Sequence, residues 1–117
     1  MRSKNSYVLI LFNQKNFKLK ISSFDLNFKP GFYYYVGSLN SFSRILRHFK
    51  KEKKKKWHID YISELMIPIC AVILKEEECN VAGKFKLEKI PKFGCSDCSC
   101  DSHLFYSQNL TLDFLST

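Results

Sequence analysis

A chain of 117 residues, 45 % of them hydrophobic, is long enough for one modest core and too short for two. That ordinary apolar fraction excludes a disordered chain, and no apolar run approaches the length of a membrane-spanning helix. Nineteen Lys and Arg against eleven Asp and Glu leave a formal charge of +8. The charge points to a polyanionic partner, most simply nucleic acid, and with equal weight to a solvated, lysine-rich surface.

Residues 7–12, the first apolar run, are too short for a secretory signal and lack a small-residue cleavage site. Five cysteines, an odd number, argue against a fully paired secreted framework. The expectation is a single domain over residues 1–117, soluble and cytoplasmic or otherwise intracellular, with no contact to a membrane.

In chain order, residues 7–12 (YVLILF) form a nearly continuous apolar run that ends at Asn13-Gln14, the pattern of a central strand. Phe17–Ile21 (FKLKI) alternates apolar residues with lysine, as a half-exposed strand does, and a hairpin across residues 13–16 is the expected pairing of the two. Pro30-Gly31 marks a turn. Residues 32–36 (FYYYV) are aromatic and β-branched, a third strand. Alternation sets Tyr33 and Tyr35 on one of its faces and Phe32, Tyr34 and Val36 on the other. Gly37 ends it.

A helix is expected over residues 42–51, capped by Asn40 or Ser41. Phe42, Ile45, Leu46 and Phe49 follow i, i+3, i+4, i+7 and read as its core stripe. Arg44, Arg47, His48 and Lys51 take the same spacing on another face, so Arg44 and His48 sit one turn apart and can act on one ligand. Residues 50–56 hold six lysines and one glutamate. Such a run is ordinarily a solvated connector. Beside Arg44, Arg47 and His48, Lys51, Lys53, Lys54, Lys55 and Lys56 would also extend a phosphate-binding stripe. Residues 57–66 (WHIDYISELM) read as a second helix with Ile59, Ile62 and Met66 inward and Pro68 beyond its end. His58 and Tyr61 are one turn apart near its start. A lone histidine there is more often structural than catalytic, but its place directly after the basic run makes it a candidate.

Residues 69–74 (ICAVIL) read as a strand buried on both faces. Glu76, Glu77 and Glu78 then open a helix, where carboxylates suit the positive end of the dipole, and that helix is expected to run to about Leu87. Glu78 shares a face with Ala82 and Phe85. A carboxylate turned inward needs a partner: a cation, an arginine or a metal ion. A loop follows over residues 89–94. In residues 95–103 (CSDCSCDSH), three cysteines and a histidine invite a zinc reading. Zinc sites, however, draw ligand pairs from two separated places, and Cys98 and Cys100 crowd each other. A disulfide, or reduced thiols at a tight turn, is the preferred reading for Cys95, Cys98 and Cys100. Residues 104–106 form a closing strand, and residues 110–115 an apolar tail that packs on the sheet. The fold class is α/β, or α+β in stricter usage: a small mixed or antiparallel sheet with about three helices against it.

These residues carry a resemblance. Tyr35-Val36-Gly37 followed by Arg44-x-x-x-His48 resembles the second half of the signature of GIY-YIG endonucleases, with Tyr7 for the first half. GFYYYVGS, RILRH, WHIDY, Glu78-Cys79 and FGCSDCSCDSHLF are together similar to a GIY-YIG-like family found in archaea and bacteria, sometimes fused to an endonuclease III-type repair enzyme. The similarity runs from Tyr7 to Tyr106. Asn5 stands where the superfamily has glycine, Phe17–Ile21 parts the two signature strands, and Ser102 or His103 lies nearest the superfamily's late asparagine.

The resemblance implies a divalent-metal-dependent endonuclease that hydrolyses DNA phosphodiester bonds, in repair or recombination, with a repair protein as a further partner. Glu78 would hold Mg²⁺ (or Mn²⁺), which acts as a Lewis acid on the phosphoryl group and leaving oxygen. Arg44 would brace the non-bridging oxygens through its planar fork. Tyr7 or Tyr35 would activate the water, with His48 or His58 the alternative proton acceptor. The lysine run and Trp57 would hold the strand, by charge and by stacking on a base. The rival reading is a non-catalytic nucleic-acid-binding module with a degenerate nuclease fold. A third, a redox- or zinc-responsive protein built on the cysteine cluster, ranks below both.

Overall fold

The computed structural model describes residues 4–21, 24–49, 58–90 and 102–115. Among them are seven strands: β1 (Ser6–Asn13), β2 (Phe17–Ile21), β3 (Phe24–Phe28), β4 (Gly31–Ser38), β5 (Ile67–Leu74), β6 (Glu88–Lys89) and β7 (Leu104–Ser107). The helices are α1 (Phe42–His48), α2 (His58–Leu65) and α3 (Glu78–Ala82), with a final 3-10 turn over Asp113–Leu115. Five strands form one sheet in the order β5-β1-β4-β7-β6, every pairing antiparallel, and β2 and β3 form a separate two-stranded sheet. The fold is α+β, as expected.

β1 takes a central place because its side chains are apolar on both faces, and only a strand flanked and covered on each side can bury such a run. One face of the sheet buries Tyr7, Leu9, Leu11, Tyr33, Tyr35 and Leu104 with Ile59, Ile62 and Met66 of the α2 region. The other buries Val8, Ile10, Tyr34, Val36 and Phe105 under Val81, Ala82 and Phe85, closed by Phe114. The alternation expected for β4 therefore holds, and so does the inward stripe of α2. Phe85 stacks on Phe105 with ring centroids 4.4 Å apart and on Phe114 at 4.9 Å, so one aromatic ring ties α3 and the C-terminal turn to the sheet.

The expected β1–β2 hairpin does not form. β1 pairs with β4 and β5, whereas β2 pairs with β3, a strand the sequence reading passed over. The signal was present: Phe24, Leu26 and Phe28 alternate with Asp25 and Asn27, and the register sets Phe17 opposite Phe28 and Leu19 opposite Leu26. The Phe17 and Phe28 rings stack at 5.0 Å. Asn13, at the end of β1, is 2 % exposed and donates its amide N–H groups to the carbonyls of Phe28 and Lys29 at 3.3 and 2.8 Å, which clamps the hairpin's return to the sheet. Gly31 then opens β4 at φ +142°, with the Tyr106 ring where a Cβ would project, so glycine is required there.

Three further expectations are corrected. β5 is an edge strand, not one buried on both faces, and Ile69 and Ile73 are about half exposed because no described strand lies beyond it. α3 stops at Ala82, capped by Gly83, well short of Leu87, and the segment beyond it adds β6 at the far edge. The stripe assigned to the core on α1 faces outward: Phe42 is 66 % exposed, Leu46 63 % and Phe49 41 %, with only Ile45 partly buried. The physical reason is polar: Arg47 and His48 have their partners on the body of the protein, and satisfying them fixes the rotation of a helix only seven residues long. Of the C-terminal tail, only Phe114 packs; Leu110, Leu112 and Leu115 are exposed.

Gly37 pairs with Tyr7 across the β1–β4 ladder, and a Cβ on it would lie 2.5 Å from the Tyr7 Cζ and hydroxyl. Gly37→Ala is expected to cost about 2 kcal/mol by overpacking, measured as the shift in a urea unfolding midpoint. Gly83→Ala, where a Cβ meets only ordinary contacts at 3.5 Å, should leave stability within about 1 kcal/mol of the parent.

Candidate functional site

Tyr7 enters from the second residue of β1, on the face covered by α2, because alternation places it there with Leu9 and Leu11. Its ring lies over Gly37, the one residue type that leaves room for it. The Tyr7 hydroxyl is 2.6 Å from Nε2 of His48, the last residue of α1, in a bond that spans 41 residues of chain. Tyr35, two residues before Gly37 on β4, closes the group. Its ring centroid is 6.0 Å from the imidazole, edge-on, and 6.3 Å from the Tyr7 ring. The structure thus brings together three of the residues singled out in the sequence. Tyr7 and His48 have no exposed surface, and Tyr35 is 7 % exposed. A phenol beside an imidazole can hand its proton across a single short hydrogen bond, and the two act as one acid–base unit.

Of the other tyrosines in the run, Tyr33 donates its hydroxyl to the Lys29 carbonyl at 2.9 Å, and burial pushes its ionisation well above the ordinary value of 10. Burial raises Tyr34 in the same direction, and its hydroxyl oxygen accepts the Thr111 N–H at 2.9 Å. Both hydroxyls are engaged as structural groups.

Glu78 opens α3 and is 8 % exposed, as its helical face required. Its partner is a histidine: Nδ1 of His103 lies 3.6 Å from Glu78 Oε2, with both side chains buried. His103 is positioned just before β7, where its carbonyl accepts the Val36 N–H at 2.9 Å. The Ser102 hydroxyl beside it bonds to Ile90 and Leu104 and fixes the approach to the strand. α3 packs on the face of the sheet opposite the one that holds Tyr7. The two groups share one end of the sheet, since Tyr7 pairs with Gly37 there, Val36 meets His103, and β5 ends opposite Ser6 just before α3. No direct contact links Glu78 to Tyr7 or His48 among the described interactions. One buried carboxylate fits a Mg²⁺ whose remaining positions are taken by water and phosphate, and the neighbouring imidazole also suits Mn²⁺. Among the described residues no group of three or more His, Cys, Asp or Glu side chains is placed to hold a metal ion.

Arg44 lies in α1 one turn before His48, as expected, and His58 is the first residue of α2. The side chains of both, and Lys51, Lys53, Lys54, Lys55, Lys56 and Trp57 altogether, lie outside the described residues, as does the cluster of Cys95, Cys98 and Cys100. Arg47, expected to contact phosphate, is also tied within the fold. Its Nη2 donates to Asp60 Oδ2 at 2.9 Å, and the Asp60 side chain has no exposure, so the guanidinium charge is balanced inside the fold. Sequence reasoning missed Asp60 as that partner. The available signal was its place between Ile59 and Ile62, a carboxylate flanked by the inward positions of α2.

Arg47→Met should destabilise the protein by about 3 kcal/mol, because it removes the guanidinium from a buried carboxylate. Tyr7→Phe should cost about 2 kcal/mol, because it takes the hydroxyl partner from a buried imidazole nitrogen. Chemical denaturation of the two variants against the parent measures both.

The comparisons with known proteins bear on this geometry. No curated protein and no solved structure matches the chain. One family model, described as a domain of unknown function, DUF123, matches residues 6–115, from the first residue of β1 to the last of the C-terminal turn. The match takes in Tyr7, Tyr35, Gly37, Arg44, His48, Glu78 and His103 together, and the chain belongs to the DUF123 family.

Proposed function

We propose that this protein is a divalent-metal-dependent endonuclease of the GIY-YIG type that hydrolyses phosphodiester bonds of DNA. The observation that carries the reading is the seating of Tyr7: its ring fills the space above Gly37, and its hydroxyl meets His48 at 2.6 Å. Tyrosine, Tyr-x-Gly and the histidine four residues after Arg44 are the parts of the signature that the sequence resembles, and the fold brings three of their side chains to one point. The segment that parts the two signature strands supports the reading too. β2 and β3 form their own sheet, so β1 and β4 remain direct neighbours.

In this reading His48 takes the proton of Tyr7, and the resulting phenolate draws a proton from the attacking water. Their 2.6 Å contact supports a relay in which tyrosine and histidine are consecutive members. Tyr35 walls the relay against bulk water. Arg44, one turn before His48, braces the non-bridging phosphate oxygens. Glu78, beside His103 at the same end of the sheet, would hold the metal ion, which when bound would supply Lewis-acid stabilisation of phosphoryl charge. A place in DNA repair or recombination rests on family analogy.

A second reading, a nucleic-acid-binding module without turnover, is favoured by two observations. Tyr7 and His48 have no exposed surface, and α3, with Glu78, lies on the other face of the sheet.

Labelled single-stranded, duplex and branched DNA, incubated with Mg²⁺ or Mn²⁺ and with chelator, separates the two. The nuclease reading expects metal-dependent cleavage that drops about a hundredfold or more in Tyr7→Phe, Arg44→Ala and Glu78→Gln. Binding without cleavage on every substrate establishes the non-catalytic module instead.

A further inference from the structure

The outward stripe of α1 is unused by the fold and by the chemistry proposed above. Phe42, Leu46 and Phe49 stand at i, i+4 and i+7, one line along a two-turn helix, with 66, 63 and 41 % of their surface exposed. The inner side of the same helix carries His48 and Ile45. Three large apolar side chains aligned in water mark a contact surface, since scattered exposure is ordinary and an aligned patch is not.

We infer that this stripe is a stacking surface for unpaired nucleobases next to the phosphate held at the candidate site. The inference rests on the nuclease reading only for where the strand runs. Charge identifies the occupant. The chain passes from Phe49 directly into six lysines within seven residues, and the whole protein carries +8. The occupant must therefore offer flat apolar faces and negative charge in alternation, which a single nucleic-acid strand does and a duplex, with its base faces stacked away, does not. A second copy of this chain would bring two lysine runs together, and like charges oppose that pairing. A lipid surface takes an amphipathic helix that lies flat in the interface, whereas the other side of α1 is packed against the protein. Arg44 and His48 belong to the same helix, so about one helix diameter, ~10 Å, separates the stripe from the relay. The bases that stack are then close neighbours of the cleaved phosphate.

The test is fluorescence anisotropy with a labelled single-stranded oligothymidylate and a labelled duplex of equal length, in chelator so that nothing is cut. Phe42→Ala should weaken single-strand binding about tenfold, the value of losing one stacked base, and leave duplex affinity unchanged. Phe42→Tyr should restore the single-strand affinity, and thermal melting of each variant should match the parent because the side chain is exposed. Four results overturn the inference: no binding of the single strand by the parent, equal single-strand affinity in Phe42→Ala, an equal loss on both DNAs, or stripe-dependent binding only to phosphatidylserine vesicles or to a second copy of the chain. The two readings fail separately. Stripe-dependent single-strand binding by a protein that cleaves nothing supports the stripe and overturns the nuclease. Metal-dependent cleavage with unchanged single-strand affinity in Phe42→Ala does the reverse.

Discussion

The contact between the Tyr7 ring and the backbone of Gly37 is the constraint on which the rest of the structure depends. It sets the close approach of the two central strands, and it aims a phenol out of the sheet at the height where α1 ends. His48 then fixes the rotation of α1 through its bond to that phenol, and the adjacent Arg47 fixes α1 against α2 through Asp60. Two polar contacts, each bridging sequence-distant elements, therefore place a helix whose apolar residues, Ile45 apart, do not hold it. That order of cause runs opposite to the usual one, in which an apolar stripe sets the helix and polar groups take what remains.

What was legible in the sequence follows from this. The central strand, the alternation of β4 and the inward stripe of α2 were readable, because in each the apolar pattern and the burial agree. α1 was misread because its apolar residues obey helical spacing and still face water; the pattern reports a stripe, not the side the stripe will occupy. β5 was misread because a continuous apolar run has the same signature at an edge as at the centre, and only the strand order distinguishes them. The candidate site was legible in its parts. Tyr7, Tyr35 and His48 converge as the motif implied. The inward turn of Glu78 was readable from Ala82, one turn on, but the identity of its partner was not, since His103 reaches it across 24 intervening positions of chain through the register of β7 against β4.

The arrangement also shows how one sheet end can carry two polar groups without either one unfolding it. Tyr7 with His48, and Glu78 with His103, are each buried as a pair, so neither face of the sheet is asked to bury a lone ionisable group. The backbone ladder between them is continuous, and a movement of β1 against β4 at that end would be felt by both pairs.

The small β2–β3 sheet has a consequence for the order in which the molecule assembles. β1 and β4 are parted by residues 14–30, but the hairpin brings Phe17 face to face with Phe28 and so removes most of that span from the loop that must close. Hairpin formation is local and fast, whereas pairing β1 with β5 requires closure across more than fifty residues. The chain can therefore zip its two central strands first, around a hairpin whose Phe28 joins the core they form. The outer strands β5 and β7 arrive on a template already in register, and φ-values concentrated in β1, β4 and the hairpin are the kinetic signature of that route.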